Sequence, residues 1–235
     1  MLFFECCCQS VDEVREAQEG GAGRIELCEK LEVGGVTPSD KLIRQVLGCV
    51  SIPVNVLVRP RGGDFVYDEE EVDAIVETIE HCKALGVNGI VVGALNREGD
   101  VDVALMRRFI DTAQPLVVTF HRAFDECRDP HRALEDIVSL GCKRLLTSGQ
   151  APSAPEGAKL IKELIDQASG RIIIMPGAGI KPGNISSLVM ATGATEYHGS
   201  AHGPSGHTDS AVVRTIVCCE DDVAVLTLSS RGERR

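Results

Sequence analysis

Short apolar runs alternate with longer stretches of helical periodicity from one end of the chain to the other. The strand-like runs fall at Phe3–Cys8, Arg24–Cys28, Val54–Val58, Gly89–Leu95, Leu116–Phe120, Arg144–Thr147, Arg171–Met175 and Thr195–His198. Most are continuous rather than alternating, as expected of strands buried on both faces. Between them, Val72, Ile75, Val76, Ile79 and Cys82 make one helical stripe, and Leu160, Ile161, Leu164 and Ile165 make another. Ser39 can cap a helix whose apolar face is Leu42, Ile43, Val46 and Leu47. Ser10 and Glu13 have capping-box spacing. Asp129 followed by Pro130 marks a helix start ahead of Leu134, Ile137 and Val138. Gly21, Gly86, Gly141 and Gly193 each stand four residues before a strand position: Ile25, Ile90, Leu145 and Tyr197. A left-handed glycine there ends a helix and turns the chain into the next strand.

Eight strands in series with helical connections predict an α/β fold with a parallel sheet, closed as a (β/α)8 TIM barrel or open and doubly wound. The first strand–helix turn lacks GxGxxG, which disfavours the open dinucleotide-binding sheet. No Pro- or Ser-rich linker divides the chain, so one barrel is expected over residues 1–201, followed by a divergent segment, 202–235. Ala211–Cys219 reads as a short helix or strand, and Val223–Leu228 alternates poorly for a helix. The final covering helix is therefore expected to be missing or altered. That would leave apolar strips on the first and seventh helices partly exposed.

Composition narrows the picture. The 235 residues are 43% hydrophobic but only 3% aromatic, without Trp, so the core must be aliphatic. A net charge of −11, with no long basic run, argues against nucleic acid and anionic membrane surfaces as partners. No apolar run approaches the ~18 residues of a membrane span. Ten Cys would suggest a disulfide framework, but Cys6, Cys7 and Cys8 are consecutive and the chain begins on a strand-like run rather than a leader. A reducing cytosol is the expectation.

In a βα barrel, working residues sit at the C-terminal ends of strands and in the loops that follow. Those places hold Glu5, Cys7, Glu26, Cys28, Arg59, Arg61, Asp64, His121, Arg122, Asp125, Thr147, Ser148, Gly177–Gly179, His198 and Ser200. Side chains two apart on a strand share a face, so Glu5 with Cys7 and Glu26 with Cys28 point into one barrel mouth. Two neighbouring thiolates suit a soft ion such as Cu(I), whereas free Cys also serves as a small buried hydrophobe. Cys6 and Cys8 have the opposite parity and belong under the helices. His198, His202 and His207 invite a metal reading but lack helix or strand spacing, and no CxxC or zinc-type Cys/His spacing occurs. Arg59 and Arg61 flank Pro60 beside Gly62-Gly63; fixed arginines bind carboxylate or phosphate, or pair with the mouth's own carboxylates. The PGAGI turn (Gly177, Gly179) and Ser200 occupy the loops after strands seven and eight, where barrels commonly bind anions. If the mouth is catalytic, His121, Glu26 and Arg59 are the candidates, with His121 as acid–base group. No Lys ends a strand, which disfavours Schiff-base chemistry.

Six motifs, RIELC (Arg24–Cys28), RPRGGDF (Arg59–Phe65), VTFHRAFD (Val118–Asp125), LLTSG (Leu145–Gly149), MPGAGI (Met175–Ile180) and ATEYHGSA (Ala194–Ala201), resemble in order those of the CutC copper-homeostasis proteins. The resemblance runs from Phe3 to Ala201. It implies a TIM barrel, a cytoplasmic location with nuclear presence, a homo-oligomer (dimer or tetramer), and Cu(I) held by cysteines at the positions of Cys7 and Cys28. It implies no particular reaction, and an enzyme acting on a small anionic or phosphorylated substrate is the alternative. After Ala201 the chain departs from the family pattern, and Asp221–Arg235 looks unrelated to it.

Overall fold

The structure is a computed structural model that describes residues 1–219. Eight parallel strands form the sheet: β1 (Phe3–Cys8), β2 (Arg24–Leu27), β3 (Val54–Leu57), β4 (Gly89–Val92), β5 (Val117–Phe120), β6 (Arg144–Thr147), β7 (Ile173–Pro176) and β8 (Glu196–Gly199). Each is followed by a helix: α1 (Val11–Gly20), α2 (Asp40–Leu47), α3 (Glu69–Leu85), α4 (Val103–Ala113), α5 (Pro130–Leu140), α6 (Ala158–Ala168), α7 (Ile185–Thr192) and α8 (Ser210–Val217). The ladder runs β7-β6-β5-β4-β3-β2-β1-β8, with β7 lying against β8, so the sheet curls into a nearly closed TIM barrel.

Local chemistry places these elements. Ser10 accepts from the Glu13 amide at 3.2 Å and starts α1. The Glu13 carboxylate, however, accepts from the amide of Gln9, one residue before the cap. Asp68 and Glu71 close a full capping box on α3. The four helix-ending glycines all lie in the left-handed region, with φ of 95°, 77°, 83° and 68° at Gly21, Gly86, Gly141 and Gly193. Strand parity then separates two buried environments. Phe4, Cys6 and Cys8 join the large apolar layer between sheet and helices, while Cys28, Leu57 and Val91 form a small apolar group inside the barrel.

The last helix corrects the expectation that it is missing. Asp209 caps α8 by accepting from the amides of Ala211 and Val212. Val213, Ile216 and Val217 are buried, and α8 covers α1 rather than leaving its apolar strip open. Contact is close because Gly20 has no side chain: a Cβ there would lie 2.5 Å from Val213 Cβ and 2.6 Å from the Ser210 carbonyl. Gly20→Ala is expected to overpack this seam and lower stability by about 1–3 kcal/mol, measured by urea unfolding. Val223–Leu228 and the Asp221–Arg235 tail lie outside the described residues.

Candidate functional site

The C-terminal mouth of the barrel opens into a cavity of about 1050 Å³. Its wall includes Cys7, Glu26, Cys28, Arg59, His121, Gly179, Ser200 and His198. Below them a layer of charge fills the barrel. Glu5, fully buried, bonds Arg24, accepts from Asn55 Nδ2 at 3.3 Å, and meets His198 Nδ1 at 2.9 Å. Arg24 Nη2 also reaches Glu196 at 2.6 Å, and Glu196 takes a second arginine, Arg144, at 2.6 Å. Buried charges persist only when paired in this way. Burial works against the charge on Glu5, but His198 and Arg24 overcome it and hold the carboxyl down at about 2.

One level up, the register sets Cys7 opposite Glu26 and Glu5 opposite His198. His198 Nε2 lies 3.3 Å from Glu26 Oε2. Burial pushes the Glu26 carboxyl up to about 7, with His198 opposing and Glu5 adding to the rise. Burial also opposes the charge on His198, yet Glu26, then Cys7 and Glu5, outweigh it and hold the imidazole well above its ordinary value. Cys7 carries the opposite tendency: the adjacent Cys28 side chain, then burial, raise its thiol well above the ordinary range. The Cys28 thiol donates to the Cys8 carbonyl at 3.7 Å. Cys7, Glu26 and His198 bring one donor atom each within 4.8 Å of one another, a group that could hold a metal ion.

Other predicted site residues divide. Arg59 is buried with three hydrogen bonds to carbonyls, of Val33 and Gly35 at 3.1 Å and Gly63 at 2.6 Å, and it lies over the Phe65 ring. Its Nε has no partner, and no carboxylate among the described residues lies within ion-pair distance. His121 accepts from the Ala123 amide at 3.2 Å, so the imidazole starts the 3-10 turn Arg122–Glu126. Burial and then Arg59 push its pKa down to about 3, so it does not titrate near neutrality as the sequence suggested for an acid–base group. Arg61 is not brought to the cavity: it pairs with Glu71 at 2.5 Å and Asp64 at 3.0 Å. Gly177 is not part of the wall either, and its amide donates to the Thr147 carbonyl at 2.9 Å. Asp125 is spent on the β6 loop, accepting from Thr147, Ser148 and Gln150 and pairing with Arg122 at 2.8 Å. Lys181, which the sequence reading passed over, reaches the cavity wall from the loop after β7.

The three histidines of the C-terminal stretch do not form a cluster. His207 turns to Glu13 at 3.1 Å, and His202 stands exposed at the cavity rim, while His198 alone enters the barrel. The signal for it was present in the sequence. Glu196 and His198 have the same two-residue spacing as Glu5 and Cys7, which puts both inside.

These features define a TIM barrel with a thiol, carboxylate and imidazole cluster at its mouth. The chain belongs to the CutC family, whose model matches residues 2–203. A CutC family protein of Chromobacterium violaceum is 51% identical over 200 residues, covering 85% of this chain and 81% of that one. The mouse protein described as a copper homeostasis protein cutC homolog is 49% identical over 200 residues, covering 85% and 74%. The crystal structure of a CutC protein from Streptococcus agalactiae superposes with a TM-score of 0.81 at 32% identity, over 85% of this chain and 99% of that one. Phosphoribosylanthranilate isomerase of Thermotoga maritima, at 13% identity and a TM-score of 0.61, shares the fold.

Proposed function

We propose that this chain handles copper, holding Cu(I) between the thiolates of Cys7 and Cys28 at the barrel mouth. The observation that carries the reading is the placement of the two thiols in one cavity wall, with the Cys28 side chain close enough to raise the Cys7 thiol. Soft thiolates satisfy Cu(I) without further ligands. Two thiolates and one Cu(I) leave one negative charge, and the imidazolium of His198 beside Cys7 offsets it in a site too buried for solvent to do so. A cytoplasmic location with nuclear presence, and a dimer or tetramer, belong to the same proposal through the family resemblance. Copper K-edge X-ray absorption on the Cu(I)-loaded chain is expected to show two sulfur neighbours and no nitrogen. A nitrogen shell, or no sulfur, overturns the assignment of ligands.

A second reading is favoured by Arg59. It is a buried guanidinium with carbonyl partners and no carboxylate within ion-pair distance among the described residues, Glu126 of the same wall acting on it only at longer range. On this reading the mouth takes a small anionic or phosphorylated substrate, with Arg59 supplying long-range attraction and the Gly179 and Ser200 loops closing on the anion. Inorganic phosphate and small carboxylates are then expected to raise the melting temperature in proportion to their concentration, and Arg59→Met to abolish the shift. An unchanged melting temperature in wild type contradicts this reading.

A further inference from the structure

We infer that Cys7, Glu26 and His198 form a binding site for a borderline divalent cation of the Zn(II) class, sharing Cys7 with the two-thiol copper site but not using Cys28. The inference starts from one triangle of donors: a sulfur on β1, a carboxylate oxygen on β2 and an imidazole nitrogen on β8, all within 4.8 Å of one another. Cys28 is not part of that triangle. A mixed soft, borderline and hard donor set suits Zn(II), which takes Cys, His and Glu, better than Cu(I), which selects sulfur.

The imidazole is built to ligate. His198 Nδ1 lies 2.9 Å from Glu5, which leaves Nε2, the atom 3.3 Å from Glu26, to face the triangle. A carboxylate behind the second ring nitrogen is the usual support of a metal-bound histidine, because it fixes the ring and its tautomer. Glu5 is itself anchored by Arg24 and by Asn55 at 3.3 Å, so the supporting carboxylate cannot swing away. Charge agrees with geometry. When they ligate, the Cys7 thiolate and Glu26 carboxylate carry two negative charges, which a divalent ion neutralises and a monovalent ion does not. All three donors line the cavity, so an ion bound to three protein ligands keeps an open coordination position toward it. That is the arrangement of zinc sites that bind water or a small oxygen-donor ligand.

The site does not rest on the copper reading, and one experiment separates them. The metal-free chain is titrated with ZnCl2 by calorimetry, and with CoCl2 while the thiolate-to-cobalt charge-transfer band is followed. One ion per chain is expected, with a four-coordinate cobalt spectrum. Glu26→Gln, nearly isosteric, is expected to lower affinity by more than the roughly 10–100-fold typical of outer-shell losses, and Glu5→Gln by about that range. Cys7→Ser should abolish the cobalt band, whereas Cys28→Ser should leave both titrations unchanged. Cu(I) binding should show the reverse: lost with Cys28→Ser and kept with Glu26→Gln. No stoichiometric Zn(II) binding in wild type overturns the inference. So does a cobalt band that survives Cys7→Ser but disappears with Cys218→Ser, the exposed thiol, or zinc affinity indifferent to Glu26→Gln. If His198→Ala fails to fold, the Glu26 and Cys7 variants still decide the matter.

Discussion

Arg24→Ala is expected to destabilise the barrel by about 3–5 kcal/mol, the range for removing one partner of a buried ion pair. Arg24 is 3% exposed and bonds both Glu5 and Glu196, two carboxylates sealed inside the barrel. Its loss leaves them sharing His198, Asn55 and Arg144. The effect should depend on pH in a definite direction. Glu5 ionises at about 2 in the folded chain against an ordinary 4.5, so it contributes stability above pH 4.5 that is lost as pH falls through about 2. Without Arg24 the folded pKa of Glu5 rises, so the deficit of the variant should be full at pH 7 and narrow below pH 4.5. Replacing both partners, Arg24→Met with Glu5→Met, should recover part of the loss, because a pair of apolar groups leaves no uncompensated charge. Urea unfolding of Arg24→Ala, Arg24→Met, Glu5→Met and the double variant at pH 7 and pH 4 tests this. Equal deficits at the two pH values, or a double variant worse than the sum of the singles, contradict the pairing described here.

The barrel was legible because its signals are local. Phe3–Cys8 and Arg144–Thr147 were read to the residue, and the helix-ending glycines Gly21, Gly86, Gly141 and Gly193 adopt the left-handed conformation their position implied. Strand ends were overrun at Cys28, Val58 and Ala94–Leu95, which stay buried after the ladder has stopped. Burial shapes the apolar pattern, whereas hydrogen bonding sets the strand boundary. The eighth helix was read only as a short helix or strand at Ala211–Cys219, and its cover of α1 was not foreseen. Its apolar face is only Val213, Ile216 and Val217, too short for periodicity to stand out, and its stability comes from close contact with α1 across Gly20.

The site was less legible because it depends on who meets whom across the closure. Cys7 and Cys28 could be put in one mouth by parity alone. His198 could be put in the same mouth by its position at the end of the eighth strand, but that it meets Glu5 and Glu26 directly, and not His202 and His207, follows from the register of β8 on β1, the first and last strands of the barrel. Arg59 and Arg61 look equivalent on either side of Pro60, yet one turns inward to carbonyls and the other outward to Glu71. His121 has a histidine's usual pKa in sequence; burial and Arg59 remove it from the neutral range. The contrast of Arg59 with Arg61 and the displaced pKa of His121 are not written in spacing.

The largest effect on function is expected from the thiols. A direct sulfur ligand contributes more than the roughly 10–100-fold in affinity that an outer-shell group does, and Cu(I) has no second soft donor to replace one lost from a two-sulfur site. Either Cys7→Ser or Cys28→Ser should therefore weaken Cu(I) binding by more than that range. The double variant should remove stoichiometric binding altogether. Cys6 and Cys8 point away from the cavity into the helix-covered layer and cannot substitute without turning β1 over. His121→Ala should leave copper affinity unchanged, since its Nδ1 is occupied with the Ala123 amide and it is not among the donors grouped around Cys7. The decisive measurement is an anaerobic competition titration of Cu(I) against a chromophoric chelator, run on wild type, the double cysteine variant and His121→Ala. The account predicts one Cu(I) per chain in wild type and His121→Ala, and none in the double variant; copper affinity untouched by the loss of both cysteines would contradict it.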